Sequence, residues 1–336
     1  MKILIIHTAF IGDIVLSTPL LKRIKDVYPE AKITYVTTPV GASILRNNEN
    51  ITEIIEYDKR GVHSGVKGLI ALGRRLRYEN FNLVLTPHRY LRSSILSWLT
   101  RSPKRVGYNT ASGAVLFTKR IKYDKSKHEV EKLLSFLGEL PENLRESYPI
   151  ELYPSKKDIQ KVDDIWKENR LIDKDVVAVA PGSKWFTKKW PLEYFNKVID
   201  LLVANNKKVV IIGGRDEMLL NVHTPSGVVD LRGKTTLLEL AEVLKRSKVV
   251  LTNDSSPIHI ASAFKNTKII ALFGPTVKAF GFFPWSKNSE VLEVENLSCR
   301  PCAIHGGNKC PKGHFKCMLD LKPEVAFDKI LASLKR

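Results

Sequence analysis

The sequence predicts an α/β protein made of two doubly wound parallel-sheet domains. Short runs that are apolar almost throughout, as at 3–6, 83–86, 176–180 and 249–252, recur along the chain. Amphipathic stretches separate them, and the alternation stops near 140–155 and then starts again. A strand that is apolar on both faces needs cover on both, and a parallel sheet between two helical layers supplies it.

In the first domain, residues 2–7 read as a strand, followed by a helical pattern through Lys25, a strand over 32–37, a helix near 41–46 and a strand over 51–57. A helix over 69–78, a strand over 83–86, a helix over 93–99 and a strand over 106–108 complete it. A charged helix at 129–138 leads into a stretch punctuated by Pro141, Pro149 and Pro154, and another charged helix follows at 156–169. Proline clusters mark linkers, so the domains are placed at 1–155 and 156–322. The second domain reads as strands over 176–180, 208–213, 249–252 and 268–273, with helices over 192–205, 237–246 and 258–264. A last helix, within 323–336, is expected to pack back toward the first domain.

The chain has 336 residues, 43% of them hydrophobic, which is ample for two cores. No apolar run approaches the roughly 18 residues that span a bilayer. The apolar opening is broken by His7 and Asp13, too early for a signal peptide, so a cytoplasmic protein is expected. The formal net charge is +19, and it is unevenly placed. From Lys59 to Lys127 there are 16 basic residues against two acidic ones, Glu79 and Asp124, a local excess of +14. Such a field attracts polyanions: nucleic acid, an anionic membrane surface or a phosphorylated acceptor.

Ligands of open parallel sheets bind beyond the carboxyl ends of strands, so the informative residues are those that follow strands. After the first strand comes Thr8-Ala9-Phe10-Ile11-Gly12-Asp13, where Gly12 permits close approach of backbone to ligand and Asp13 opens a helix. Asp13 is either a helix cap or a general base, since a carboxylate beside a ligand crevice can accept the proton of an attacking hydroxyl. The run Asn253-Asp254-Ser255-Ser256-Pro257 leaves a buried strand and enters a helix with Pro257 at its expected first position. That leaves backbone N–H groups pointing outward, an arrangement that binds phosphate. Simple capping by Ser255 or Ser256 is the rival reading, and His259 is either a core histidine or a second contact to the same anion. The loop 181–191 carries Ser183 and the lysines Lys184, Lys188 and Lys189 with two tryptophans. Lysines there suit a diphosphate leaving group, solvated lysines being the alternative.

Several better-known sites are excluded. No G-x-G-x-x-G follows a strand, and Gly233-Lys234-Thr235 fails as a P-loop because Val228 stands where the first glycine belongs. Asp173-Lys174-Asp175 spells a D-x-D motif but precedes a strand. All four cysteines, Cys299, Cys302, Cys310 and Cys317, fall in one segment spaced C-x2-C-x7-C-x6-C, with His305 and His314 among them. Four soft ligands in a short loop favour a structural zinc or iron, with free thiols and disulfides as the alternatives.

Taken together, KILIIHTAFIGDIVLSTPLLKRIK, FNLVLTPHRYLRSSILSWL, PGSKWFTKKWPLEYF, LRGKTTLLELAEVL and VVLTNDSSPIHIASAF followed by IIALFGPT resemble, in order and spacing, the ADP-heptose:lipopolysaccharide heptosyltransferases of glycosyltransferase family 9. The resemblance implies the GT-B fold, two Rossmann-like domains facing a cleft. It matches Asp13 to the catalytic base and Lys188 to the diphosphate-binding lysine, with Gly12, Ser183 and Lys184 nearby. Asp254, Ser255, Ser256 and His259 match the donor-binding turn, many members having glycine where this chain has Ser256, and Lys234–Thr235 match the wall beside the adenine. Arg92 falls where members contact acceptor phosphates, and Arg60, Arg89, Lys119 and Arg120 are assigned to the acceptor with it.

The implied reaction is an inverting transfer from an ADP-sugar to a phosphorylated lipid A–Kdo acceptor, with no catalytic cofactor, at the cytoplasmic face of the inner membrane. The basic segment fits an anionic acceptor in an anionic leaflet. Two other readings compete: a nucleotide-sugar epimerase or hydrolase on the same scaffold, and a basic nucleic-acid-binding protein. The first leaves the basic segment without an anionic acceptor to bind. The second lacks regularly spaced exposed aromatics, so no nucleic-acid partner is expected.

Overall fold

The computed structural model describes residues 1–335, and the chain divides into two units, Met1–Tyr153 and Pro154 onward. The first unit is a six-stranded sheet of β1 (Lys2–Ile6), β2 (Lys32–Thr37), β3 (Glu53–Glu56), β4 (Leu83–Thr86), β5 (Lys104–Tyr108) and β6 (Lys119–Ile121). The strands are all parallel in the order β3-β2-β1-β4-β5-β6. Between them run α1 (Ile11–Leu16), α2 (Thr18–Val27), α3 (Pro39–Leu45), α4 (Gly65–Tyr78) and α5 (Leu91–Leu99), followed by α6 (Glu129–Leu134) and α7 (Leu144–Ser147). Leu4, Ile6, Val36 and Val84 of the sheet pack with Leu69, Leu72 and Leu76 of α4 and Leu96 of α5.

The helical pattern expected to run unbroken through Lys25 is two helices. Pro19 has no N–H to continue the ladder, and the Thr18 hydroxyl supplies a donor to the Val15 carbonyl at 2.9 Å instead.

The second unit begins with α8 (Lys156–Glu168) and has its own parallel sheet: β7 (Val176–Ala180), β8 (Lys208–Ile211), β9 (Val228–Asp230), β10 (Val249–Asn253), β11 (Lys268–Phe273) and β12 (Ser289–Glu293). Its order is β12-β11-β10-β7-β8-β9, the same topology as the first sheet read from its own first strand. Both units are thus Rossmann-like. The helices are α9 (Leu192–Ala204), α10 (Leu237–Arg246), α11 (Ser256–Ala261), α12 (Lys316–Leu319) and α13 (Pro323–Leu334). The final helix, expected to pack back toward the first domain, buries Ala326 and Ile330 in the second unit's core and packs on α9, β10 and β11.

Candidate active site

In each sheet the strand order reverses beside one central pair, β1 with β4 and β7 with β10. Loops leaving such a pair run to opposite faces and open a crevice at the carboxyl ends. The residues singled out after strands in the sequence fall largely on these loops.

In the second unit, Thr252 pairs with Ala180, so the chain leaves β7 and β10 at one level. Asn253 ties the two exits together. Fully buried, it donates from Nδ2 to the carbonyls of Pro181 (2.9 Å) and Gly182 (3.3 Å), and its Oδ1 accepts the Trp190 backbone N–H at 3.0 Å. Asp254 follows, also buried. Its Oδ2 accepts the Thr276 hydroxyl at 2.7 Å and stands 2.6 Å from the Lys188 ammonium. Lys188 ends a 3-10 turn, Phe186–Lys188, and its side chain is 13% exposed. An ammonium carries three protons, so the pair with Asp254 leaves donors for a ligand.

The rival capping reading does not describe this turn. Ser255 is the N-cap residue of α11, yet no side chain caps the helix, and the Ser255 hydroxyl turns to the Asn253 carbonyl at 3.4 Å. Ser256, not Pro257, is the first helical residue. One turn in, His259 is buried with no hydrogen-bond partner on Nδ1, and burial lowers its pKa to about 4. A neutral imidazole therefore stands close enough to Asp254 and Lys188 to feel both charges.

Ser183 is buried on the loop leaving β7, while Lys184 is exposed, its ammonium 5.6 Å from the centre of the Trp185 ring. Lys234 and Thr235 precede α10, outside the central strand pair, and the Lys234 ammonium turns back to the Asp230 carbonyl at 2.8 Å. Glu217 was not singled out in the sequence, although Gly213-Gly214 after β8 was its signal. Its carboxylate accepts the Gly214 N–H at 2.7 Å and overlies Gly182 and Gly213, where an added Cβ would come within 1.6 and 2.3 Å of it. Burial raises its pKa.

In the first unit, Gly12 and Asp13 lie in the first turn of α1, and the Asp13 carboxylate accepts the Phe10 N–H at 3.3 Å. Asp13 therefore does cap, from inside the helix, while remaining half-buried. Its charge reaches Tyr35 and Tyr123, whose phenols are raised first by burial, Tyr123 to about 12. His7 faces Tyr35 (Nδ1 to Oη 3.2 Å), and His88 Nδ1 lies 2.8 Å from the Ser93 hydroxyl. Burial lowers both imidazoles to about 3.

Arg60, Arg89, Lys119 and Arg120 are exposed, with the Arg89 guanidinium 4.1 Å from the centre of the Tyr123 ring. Arg92 is placed differently from a free acceptor contact. It donates to the Tyr57 hydroxyl and to the carbonyls of His63 (2.7 Å) and Gly65 (2.8 Å), so it clasps the loop that carries Arg60.

The four cysteines are free thiols, and Cys299 Sγ lies 3.8 Å from His314 Nε2. Among the described residues, however, no three His, Cys, Asp or Glu side chains converge as a metal-binding group. The Cys317 thiol, raised to about 11 first by burial, also feels Cys302, Cys310 and Cys299, so the four thiols lie within electrostatic reach of one another. Cys302 turns its thiol to the Cys299 carbonyl at 3.0 Å, and Cys317 is buried in the apolar core beside Met318 and Leu321.

The sequence profile of glycosyltransferase family 9 (heptosyltransferase) matches residues 69–310. The chain belongs to glycosyltransferase family 9. A relative of this family 9 enzyme, lipooligosaccharide heptosyltransferase 2 of Campylobacter jejuni, is 28% identical over 98% of either chain. The family 9 glycosyl transferase of Veillonella parvula superposes with a TM-score of 0.88 at 24% identity, covering 99% of this chain and 97% of that one. The ADP-heptose lps heptosyltransferase II of Escherichia coli gives 0.80 at 20% identity, covering 99% and 98%. The family 9 enzyme accordingly has the GT-B fold of these neighbours.

Proposed function

We propose that this family 9 enzyme transfers a heptose from ADP-heptose to a hydroxyl of the lipopolysaccharide inner core, with inversion and without a catalytic metal. The observation that carries the reading is the buried Lys188–Asp254–Thr276 group at the switch point of the second unit, with neutral His259 beside it. It is a preorganised seat for the charge that develops on a departing diphosphate. The similarity to an ADP-heptose lps heptosyltransferase of Escherichia coli supports the donor, and that to a lipooligosaccharide heptosyltransferase of Campylobacter jejuni supports the acceptor class.

In the proposed step the acceptor oxygen bonds to the anomeric carbon as the bond from that carbon to the diphosphate oxygen breaks. The hydroxyl proton passes to the Asp13 carboxylate, and ADP departs toward the remaining N–H donors of Lys188. Arg60, Arg89, Lys119 and Arg120 are assigned to an anionic acceptor.

Peripheral membrane association belongs to the same proposal. The outer face of α4 presents Val66 (70% exposed) and Ile70 beside Lys67, Arg74 and Arg77, a basic face with apolar contacts suited to an anionic leaflet.

The test is Asp13→Ala beside Lys188→Ala, each assayed with and without a chelator. Asp13→Ala is expected to keep ADP affinity and lose about 100-fold or more in turnover, the usual worth of a general base. Lys188→Ala is expected to weaken ADP binding, and the chelator to change nothing. Near-normal turnover in Asp13→Ala would refute the base.

A further inference from the structure

The cysteine-bearing segment contributes no group to the proposed chemistry, yet its backbone lies against the groups that do. Thr187, 3% exposed, makes a two-way contact with Gly307: its N–H donates to the Gly307 carbonyl at 3.0 Å, and its hydroxyl accepts the Gly307 N–H at 2.7 Å. Gly306 has φ +83°, and a Cβ there would meet Lys188 Cγ at 3.1 Å and Trp185 Cβ at 3.1 Å. The backbone of this segment is therefore pressed onto the aliphatic stem of Lys188, and the rings of Phe186 and Phe315 stack at 5.5 Å.

The same segment reaches the other side of the ion pair. Arg300 donates to the Thr276 carbonyl at 2.8 Å, and the Cys302 N–H donates to the Pro275 carbonyl at 3.0 Å. Thr276 is the residue whose hydroxyl holds Asp254. Both partners of the Lys188–Asp254 pair are thus seated on residues that the segment grips.

We infer that segment 300–307 is a brace that sets the place of the Lys188 ammonium, and that Thr187 is the positioning residue through which it acts. Thr187 touches no reacting atom. Its two bonds to Gly307 fix the 3-10 turn, and the turn aims the next side chain at Asp254. A lysine stem has four rotatable bonds, and packing along it is what turns a mobile charge into a directed one. The inference rests on Lys188 being the contact to the donor's diphosphate.

The experiment compares Thr187→Val, which keeps the shape and removes the acceptor, with Thr187→Ser, which keeps the acceptor. In the free enzyme, acylation of Lys188 by an amine-reactive ester is read by mass spectrometry, with exposed lysines as internal standards. Calorimetry gives ADP affinity in each variant and in the Lys188→Ala background.

Thr187→Val is expected to raise Lys188 labelling and weaken ADP by about tenfold, the worth of one buried hydrogen bond, with Thr187→Ser close to the parent in both. In the Lys188→Ala background, Thr187→Val is expected to cost no further ADP affinity, since the two act as one unit. Unchanged labelling in Thr187→Val would overturn the brace, as would an ADP loss that persists undiminished without Lys188. Raised labelling with ADP affinity intact in both Thr187→Val and Lys188→Ala would sustain the brace and refute the donor role of Lys188.

Discussion

Two carboxylates leave central strands in this molecule, and their surroundings give them different tasks. Asp254 is buried and committed to Thr276 and Lys188, so it orients a cation. Asp13 is half-buried in the first turn of α1, where its carboxylate accepts the Phe10 N–H at 3.3 Å. Histidines near both positions are held neutral by burial, His7 at about 3 and His259 at about 4. An unfolded chain protonates such residues near pH 6.5, whereas the folded chain does not, so the unfolded state binds more protons below that pH. Stability is therefore fully present above about pH 7 and lost as pH falls from 6.5 toward 4, by roughly 1 kcal/mol per pH unit for each histidine. Urea midpoints measured from pH 7.5 to 4.5 are expected to fall below pH 6.5, and His7→Gln is expected to flatten that slope. The positions of Asp13, Lys188 and the Asp254 turn could be picked out in the sequence because each lies in the segment that leaves a strand. Glu217 was not, and neither were the contacts of Thr276 and Thr187, because these come from chain segments that meet only in the fold.

At the scale of elements, the exits of β7 and β10 behave as one piece because a single amide spans them. Replacing Asn253 with Ala strands a buried donor and two carbonyls, and is expected to cost about 3 kcal/mol in equilibrium unfolding. Donor affinity should fall in the same variant, since the turn and the lysine loop lose their tie. The central strands were readable because both of their faces are buried, as in Val176–Ala180. The strands that escaped the reading are β6, β9 and β12, and each is an outer strand. Their residues are exposed or only partly buried apart from Leu292, so they carry no continuous apolar run. The break between α1 and α2 was hidden for another reason: the amphipathic pattern continues across Pro19 even though the hydrogen-bond ladder does not.

At the scale of the whole molecule, charge is less lopsided than the +14 segment implies. The first unit has 24 basic and 15 acidic residues and the second 30 and 20, so the two carry nearly equal net charge. The excess lies in one segment of the first unit, 59–127, and exposed residues of α4 carry part of it. Sedimentation with anionic vesicles is expected to be strong at low salt and to fade as the Debye length shrinks below about 10 Å, near 0.1 M. Neutralising Lys67, Arg74 and Arg77 together should reduce it several-fold without altering ADP affinity. Persistent binding at high salt, or none to anionic vesicles at any salt, would sink the α4 assignment. The ion pair between Lys188 and Asp254 gains a meaning against this background. A molecule with a formal charge of +19 draws anions of every kind toward its surface, yet the cation at its proposed donor seat is already answered by its own carboxylate. A passing phosphate meets a balanced charge there, and only an anion that brings further contacts gains by staying. Attraction and recognition are thereby assigned to different places on the same protein.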